Sequence, residues 1–208
     1  MNAPQKPNDF KRPFNVARIR DDFPILSREV NGRPLVYLDN AASAQKPEAV
    51  IEAMAAAMRG SYANVHRGLH TLANETTTAF EAARETVARL INAPQPESVV
   101  FTKGGTQAIN IVANGVDIQP GDEIVLSVME HHSNIVPWHF LRERKGAVLK
   151  WLDIDDDGAI DLRALDALIG PRTKMVAISQ MSNVLGARTP AAEIVRIAHA
   201  KGVPVLLD

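Results

Sequence analysis

Ile124-Val125-Leu126-Ser127-Val128 runs without the polar alternation of a half-wet strand, and Met129-Glu130-His131-His132 follows it directly. An unbroken apolar run of this length marks a strand covered on both faces, as in a parallel sheet held between helices. The same unit recurs outward along the chain. Val99-Val100-Phe101 precedes a helical pattern over residues 105–114, and the 124–128 run precedes one over 134–145. Residues 147–152 lead through an acidic turn into a helix near 161–168, and 175–179 lead into a helix opened by Thr189-Pro190, a cap and first-turn pair. Residues 203–207 form the last run. Strand–helix repetition of this kind predicts an α/β fold, a mostly parallel sheet flanked by helices.

On the N-terminal side the pattern is helical. Residues 47–58 are Ala-rich behind a proline, and residues 74–91 place Phe80, Ala83, Val87 and Leu90 on one face. Residues 1–20 read as a polar, Pro-punctuated arm, and 21–208 as one domain. That domain is read as truncated at its C-terminal side, because the last apolar run has only Asp208 after it and no helix to cover it.

The 208 residues are 46% hydrophobic and 23% charged, with 12 Gly and 13 Pro, values near globular averages that exclude disorder and collagen-like structure. Lys and Arg number 23 against 24 Asp and Glu, so the basic excess that drives nucleic-acid binding is missing. No apolar run has membrane-spanning length and no signal-peptide pattern opens the chain, so the expected location is cytoplasmic. Cysteine is absent, which removes disulfides, thiolate metal sites and a cysteine nucleophile from this chain.

In parallel sheets, ligands bind beyond the carboxyl ends of the strands. The residues found there are Lys103-Gly104-Gly105-Thr106, Glu130-His131-His132, Ser182-Asn183 and Asp208. Glycines opening a helix let backbone amides approach an anion where the helix dipole favours negative charge, and Thr106 adds a hydroxyl donor. The alternative is an ordinary glycine turn. His131 can stack on a planar ligand or act as a structural histidine. A metal site at His131, His132 and His139, or at His66 and His70, lacks ligand geometry. Asp153-Ile154-Asp155-Asp156-Asp157-Gly158 imitates the start of a calcium loop, but Ala164 stands where the loop needs a bidentate Glu. Asp208, closing a strand read as buried, calls for a cationic or strong-donor partner; its alternative is a helix cap.

Four stretches carry a family resemblance. Residues 37–47 (Tyr-Leu-Asp-Asn-Ala-Ala-Ser-Ala-Gln-Lys-Pro), 65–72 (Val-His-Arg-Gly-Leu-His-Thr-Leu), 129–138 (Met-Glu-His-His-Ser-Asn-Ile-Val-Pro-Trp) and 182–186 (Ser-Asn-Val-Leu-Gly) together resemble the group II, SufS-like, cysteine desulfurases of the class V aminotransferase superfamily. The resemblance covers about residues 19–208. It implies a fold type I enzyme dependent on pyridoxal 5'-phosphate (PLP). Such an enzyme converts L-cysteine to L-alanine and passes the sulfur on as a persulfide for iron–sulfur cluster assembly.

Carried over by motif, Gly105 and Thr106 would hold the cofactor phosphate, and His131 would stack on the ring and could assist proton transfer. Asn183 would touch the ring hydroxyl side and the substrate, and Asp208 would pair with the ring nitrogen. His66 and Arg67 would lie at the active-site rim. A carboxylate on the ring nitrogen keeps it protonated, so the ring can accept electrons when a Cα bond breaks. The resemblance also implies a homodimer and a sulfur-acceptor protein as partner.

Three departures and two absences stand against the match. Gly105 and Gln107 replace a more usual Thr and Glu, and Ala187 stands where Thr is common. The family's Schiff-base lysine and its sulfur-accepting cysteine have no counterpart here; Lys103, Lys145, Lys150, Lys174 and Lys201 match no such motif. Hence the expectation of an N-terminal fragment, inactive alone. A selenocysteine lyase, another class V PLP enzyme, or a non-catalytic module of the same fold stay open as alternatives.

Overall fold

The computed structural model describes residues 14–208, and most of the expected N-terminal arm lies outside them. The chain divides into two compact units between Val100 and Phe101.

In the first unit, α1 (Val16–Asp21) is capped by Asn15, whose side chain accepts the Arg18 amide at 3.1 Å. Strands β1 (Glu29–Val30) and β2 (Arg33–Pro34) form a short antiparallel ribbon. Asn31 and Gly32 join them at φ of 54° and 70°, the double left-handed turn that matches strand twist. Helix α2 (Glu48–Gly60) starts after Pro47, which sits at the cap position rather than in the first turn. Helix α3 (Thr71–Leu90) forms where the apolar spacing predicts, but its buried stripe is rotated. Ala73 and Ala88 are the buried residues, Phe80 and Val87 are half-buried, and Leu90 is 83% exposed. Small side chains set the close contact: a Cβ at Gly68 would collide with that of Ala73. The Val99-Val100-Phe101 run forms no strand. No described strand lies beside it to accept a ladder, and the Val99 carbonyl accepts a hydrogen bond from Arg84 instead.

The second unit opens with α4 (Gly105–Gly115) and then alternates: β3 (Glu123–Ser127), α5 (Val136–Lys145), β4 (Val148–Leu152), α6 (Leu162–Leu168), β5 (Thr173–Ile178), α7 (Ala191–Ala200) and β6 (Val205–Leu207). The four strands form one parallel sheet in the order β4-β3-β5-β6. Side chains leave a strand on alternate faces. Ile124 and Leu126 of β3, with Met175 and Ala177 of β5, pack against Ile109 and Ala113 of α4 and Trp138 and Leu141 of α5. Val125, Val176 and Ile178 point to the other face, against Leu165 of α6 and Ile194 and Ala198 of α7. Each large side chain so buried contributes roughly 1.5–3 kcal/mol. Both faces are covered, so β3 and β5 read as unbroken apolar runs.

The expectation that residues 203–207 form a strand buried on both sides is corrected. β6 pairs with β5 alone among the described strands, Val205 and Leu206 are half-buried, and Leu207 and Asp208 are exposed.

Candidate functional site

Strand order sets the site. From β3 the chain passes through α5 to β4 on one side; from β5 it passes through α7 to β6 on the other. The connections diverge between two adjacent strands, the topological switch point where α/β sheets bind ligands. The loops leaving β3 and β5 there carry His131 and Asn183, and Asp208 ends β6 at the same carboxyl edge.

Asp208 is held by its backbone. Its amide donates to the Ile178 carbonyl at 3.1 Å, and its carbonyl accepts from the Gln180 amide at 2.8 Å. Its carboxylate reaches the start of α4, where Oδ1 lies 3.9 Å from the position a Cβ on Gly105 would occupy. Nothing else lies within 4 Å of that position. In a helix the first amides have no intrahelical acceptor, so Gly105 and Thr106 offer donors beside a carboxylate. Gln107 folds back, its Oε1 accepting the Lys103 amide at 2.7 Å, and fixes the turn.

His131 caps a short 3-10 turn, His132–Asn134. Its Nδ1 accepts the Ser133 amide at 3.1 Å and lies 2.7 Å from the Ser133 hydroxyl. An amide can only donate, so Nδ1 is the acceptor and the N–H of the neutral ring is on Nε2. Asn183 sits exposed in a loop closed by the Met181–Arg188 bridge. Ser182 braces that loop, its buried hydroxyl accepting the amides of Val184 and Leu185 at 3.3 and 3.1 Å. Gly186, at φ +68, makes the turn. Gly105, Thr106, His131, Asn183 and Asp208 are all exposed and all belong to the second unit.

His66 and Arg67 belong to the first unit. His66 has φ +64; its amide donates to Thr77 Oγ1 at 2.9 Å, and its Nε2 lies 2.8 Å from Glu81 Oε1. The ring meets Phe80 edge-on. Arg67, next along this tightly held loop, is exposed. The acidic stretch is a turn: Asp155 Oδ1 accepts the amides of Asp157 and Ala159 at 3.0 and 2.8 Å. Lys150 pairs with Glu123 and Lys174 with Asp122, at the end of β3 opposite the site.

Sequence reasoning placed Glu130 at this edge without a role. The structure makes it a hub. Only 7% exposed, it accepts from Ser127 Oγ at 2.5 Å, Ser179 Oγ at 2.7 Å and Asn134 Nδ2 at 2.7 Å. The signal that could have found it is a carboxylate one turn from a buried strand end, which needs donors.

The sequence pattern of aminotransferase class-V matches residues 36–208. The chain belongs to that family. Among class-V relatives, a cysteine desulfurase of Klebsiella pneumoniae (strain 342) is 50% identical over 198 residues, 94% of this chain and 49% of the relative. One from Dickeya dadantii (strain 3937) is 52% identical over 198 residues, 94% of this chain and 48% of the relative. The chain thus spans about half the length of the curated relatives it matches. Two solved structures share the fold. The cysteine desulfurase CsdA from Escherichia coli superposes with a TM-score of 0.79 at 42% identity, covering 94% of this chain and 49% of that one. The apo cysteine desulfurase from Thermococcus onnurineus NA1 gives 0.85 at 36%, covering 93% and 47%. Among the described residues no helix is long and apolar enough to cross a membrane.

Proposed function

We propose that this chain is the cofactor-domain part of a PLP-dependent, group II cysteine desulfurase. The whole protein converts L-cysteine to L-alanine and delivers the sulfur to an acceptor protein. The observation that carries the reading is the approach of the Asp208 carboxylate to the amide-rich start of α4, with Oδ1 3.9 Å from the Cβ position of Gly105. A phosphorylated pyridine needs an anion site and a carboxylate together, and the donor set fits it.

Gly105 and Thr106 bind the phosphate, two amides and a hydroxyl meeting it where the helix dipole favours an anion. Asp208 would pair with the ring nitrogen and keep it protonated. His131 would stack on the ring; its tautomer is set by Ser133, and its Nε2–H would be the group able to exchange a proton. Asn183 orients the substrate and the ring hydroxyl side. Bound PLP supplies an electron sink for bond breaking at the substrate Cα. The assembly is a homodimer acting in the cytoplasm. The relatives named cysteine desulfurases, at 50–52% identity, support this substrate over selenocysteine.

The test uses the full-length protein with cysteine, selenocysteine and kynurenine, measuring alanine and sulfide release. Cysteine is expected to give the highest kcat/KM; a preference for either other substrate would move the protein elsewhere in class V. The absence of cysteine and of a matching lysine motif favours a second reading for the 208 residues alone, a non-catalytic module. Borohydride reduction of these residues with PLP should leave no cofactor fixed to a lysine, and a fixed cofactor would contradict that reading.

A further inference from the structure

We propose that Glu130 is the positioning residue of this site: one buried carboxylate, through Ser179 at the end of β5, sets the His131 turn and Asp208 in register with each other. The geometry stands by itself, while its effect on PLP rests on the proposed function.

Glu130 grips three elements at once. Ser127 is the last residue of β3, Ser179 follows the last residue of β5, and Asn134 ends the turn that carries His131. All three side chains donate to its two oxygens. Asn134 can present only its amide nitrogen, because its Oδ1 is engaged by the Trp138 indole N–H at 3.0 Å and an indole is a donor alone. Asn134 also donates its backbone amide to the His131 carbonyl at 2.8 Å. Both ends of the histidine turn are therefore tied to one carboxylate, at one end through the peptide bond to Glu130 itself and at the other through Asn134.

The link to Asp208 runs through Ser179. The residues on either side of Ser179 are the ones that hold the Asp208 backbone: the Ile178 carbonyl accepts the Asp208 amide, and the Gln180 amide donates to the Asp208 carbonyl. Thr189 Oγ1 donates to the Ser179 carbonyl at 2.9 Å and fixes the loop that continues to Asn183. A carboxylate holding Ser179 from the β3 side thus indexes Asp208 from the other. Glu130 spans the switch point, bonded to Ser127 at the end of β3 and to Ser179 after β5. Supporting hydrogen bonds of this kind keep a site within its working geometry.

The test compares Glu130→Ala and Glu130→Gln in the full-length protein. Three readouts are taken: the ring-nitrogen NMR shifts of His131 without cofactor, the PLP dissociation constant, and the melting temperature. Glu130→Ala is expected to average the His131 ring between tautomers and to weaken PLP by about tenfold, the factor a loss of ~1.4 kcal/mol produces. Glu130→Gln keeps the shape and an acceptor for Asn134, and a serine hydroxyl can turn to accept from its amide; it should restore both readouts to near the parent. An alanine variant with the parent's ring shifts and PLP affinity would overturn the proposal. So would a glutamine variant as impaired as alanine, because charge rather than hydrogen-bond placement would then be what matters. If Glu130→Ala does not fold, Ser179→Ala removes one arm alone and should weaken PLP about threefold with His131 unmoved; unchanged affinity would overturn the proposal. A parent protein that fails to bind PLP would sink the proposed function, and the His131 shifts would still decide the role of Glu130.

Discussion

Thr106→Ala separates binding from folding at the proposed anion site. Thr106 is exposed in the first turn of α4, and among the described residues its hydroxyl makes no hydrogen bond. Its removal should leave stability within about 0.5 kcal/mol, with helix propensity slightly favouring Ala. A bound phosphate would lose a donor. A hydrogen bond to a charged group contributes about 1.5–3 kcal/mol, which corresponds to roughly ten- to 150-fold in Kd. The amides of Gly105 and Thr106 remain, so the lower part of that range is expected.

The assay is a PLP titration of the cofactor-free full-length protein, followed by absorbance, with thermal unfolding in parallel. Thr106→Ser keeps the hydroxyl and should bind within about threefold of the parent. Parent-like affinity in Thr106→Ala would refute the phosphate assignment. Affinity and melting temperature falling together would refute it too, since the hydroxyl would then support the fold.

Asp208→Asn keeps both backbone hydrogen bonds to β5 and its loop, so melting should not change. Alanine production should drop about a hundredfold, the order of losing one preorganised charge in a site. Gly146 has φ +73, and a Cβ there would lie 3.3 Å from Pro120 Cα and Cβ. Gly146→Ala should therefore cost roughly 1–2 kcal/mol from the left-handed backbone, seen as a lower denaturation midpoint with PLP affinity unchanged. Trp138→Phe leaves the buried Asn134 Oδ1 without its donor. It should cost about 1–3 kcal/mol by urea unfolding and loosen the His131 ring signals.

Legibility in the sequence followed burial. β3 and β5 could be read because both faces are covered, which leaves no room for alternation at Ile124–Leu126 or Met175–Ile178. The helices after them followed from spacing, to within a residue or two. The same rule failed at Val99-Val100-Phe101, where apolar composition continues but no described strand pairs with the run. On α3 the heptad-like spacing chose Leu90, while Ala73 and Ala88 are the buried residues; at Ala73 the close approach of Gly68 rewards a side chain with little volume. The candidate residues were picked as those after each run, and His131, Asn183 and Asp208 do lie at one carboxyl edge of the sheet. The role of Glu130 was not legible: its donors Ser127 and Ser179 are far apart in the chain and meet only because β3 lies beside β5, and strand order is not written in hydrophobicity.

The two departures at the start of α4 bear on which atoms carry the anion site. The space around a Gly105 Cβ is open apart from Asp208 Oδ1, so packing does not force glycine at that position. Gln107 accepts the Lys103 amide through Oε1, a contact a glutamate oxygen would make equally well. Both replacements therefore change the polar lining and leave the turn's shape intact. Losing a hydroxyl at Gly105 removes a donor, whereas an amide at Gln107 spares an incoming phosphate a like charge, so the two act in opposite directions on anion affinity. What is common to either sequence is the backbone, the first amides of α4 aimed out of the helix. With side-chain donors in this turn reduced to Thr106, those amides and that one hydroxyl are what the start of α4 offers to the proposed phosphate.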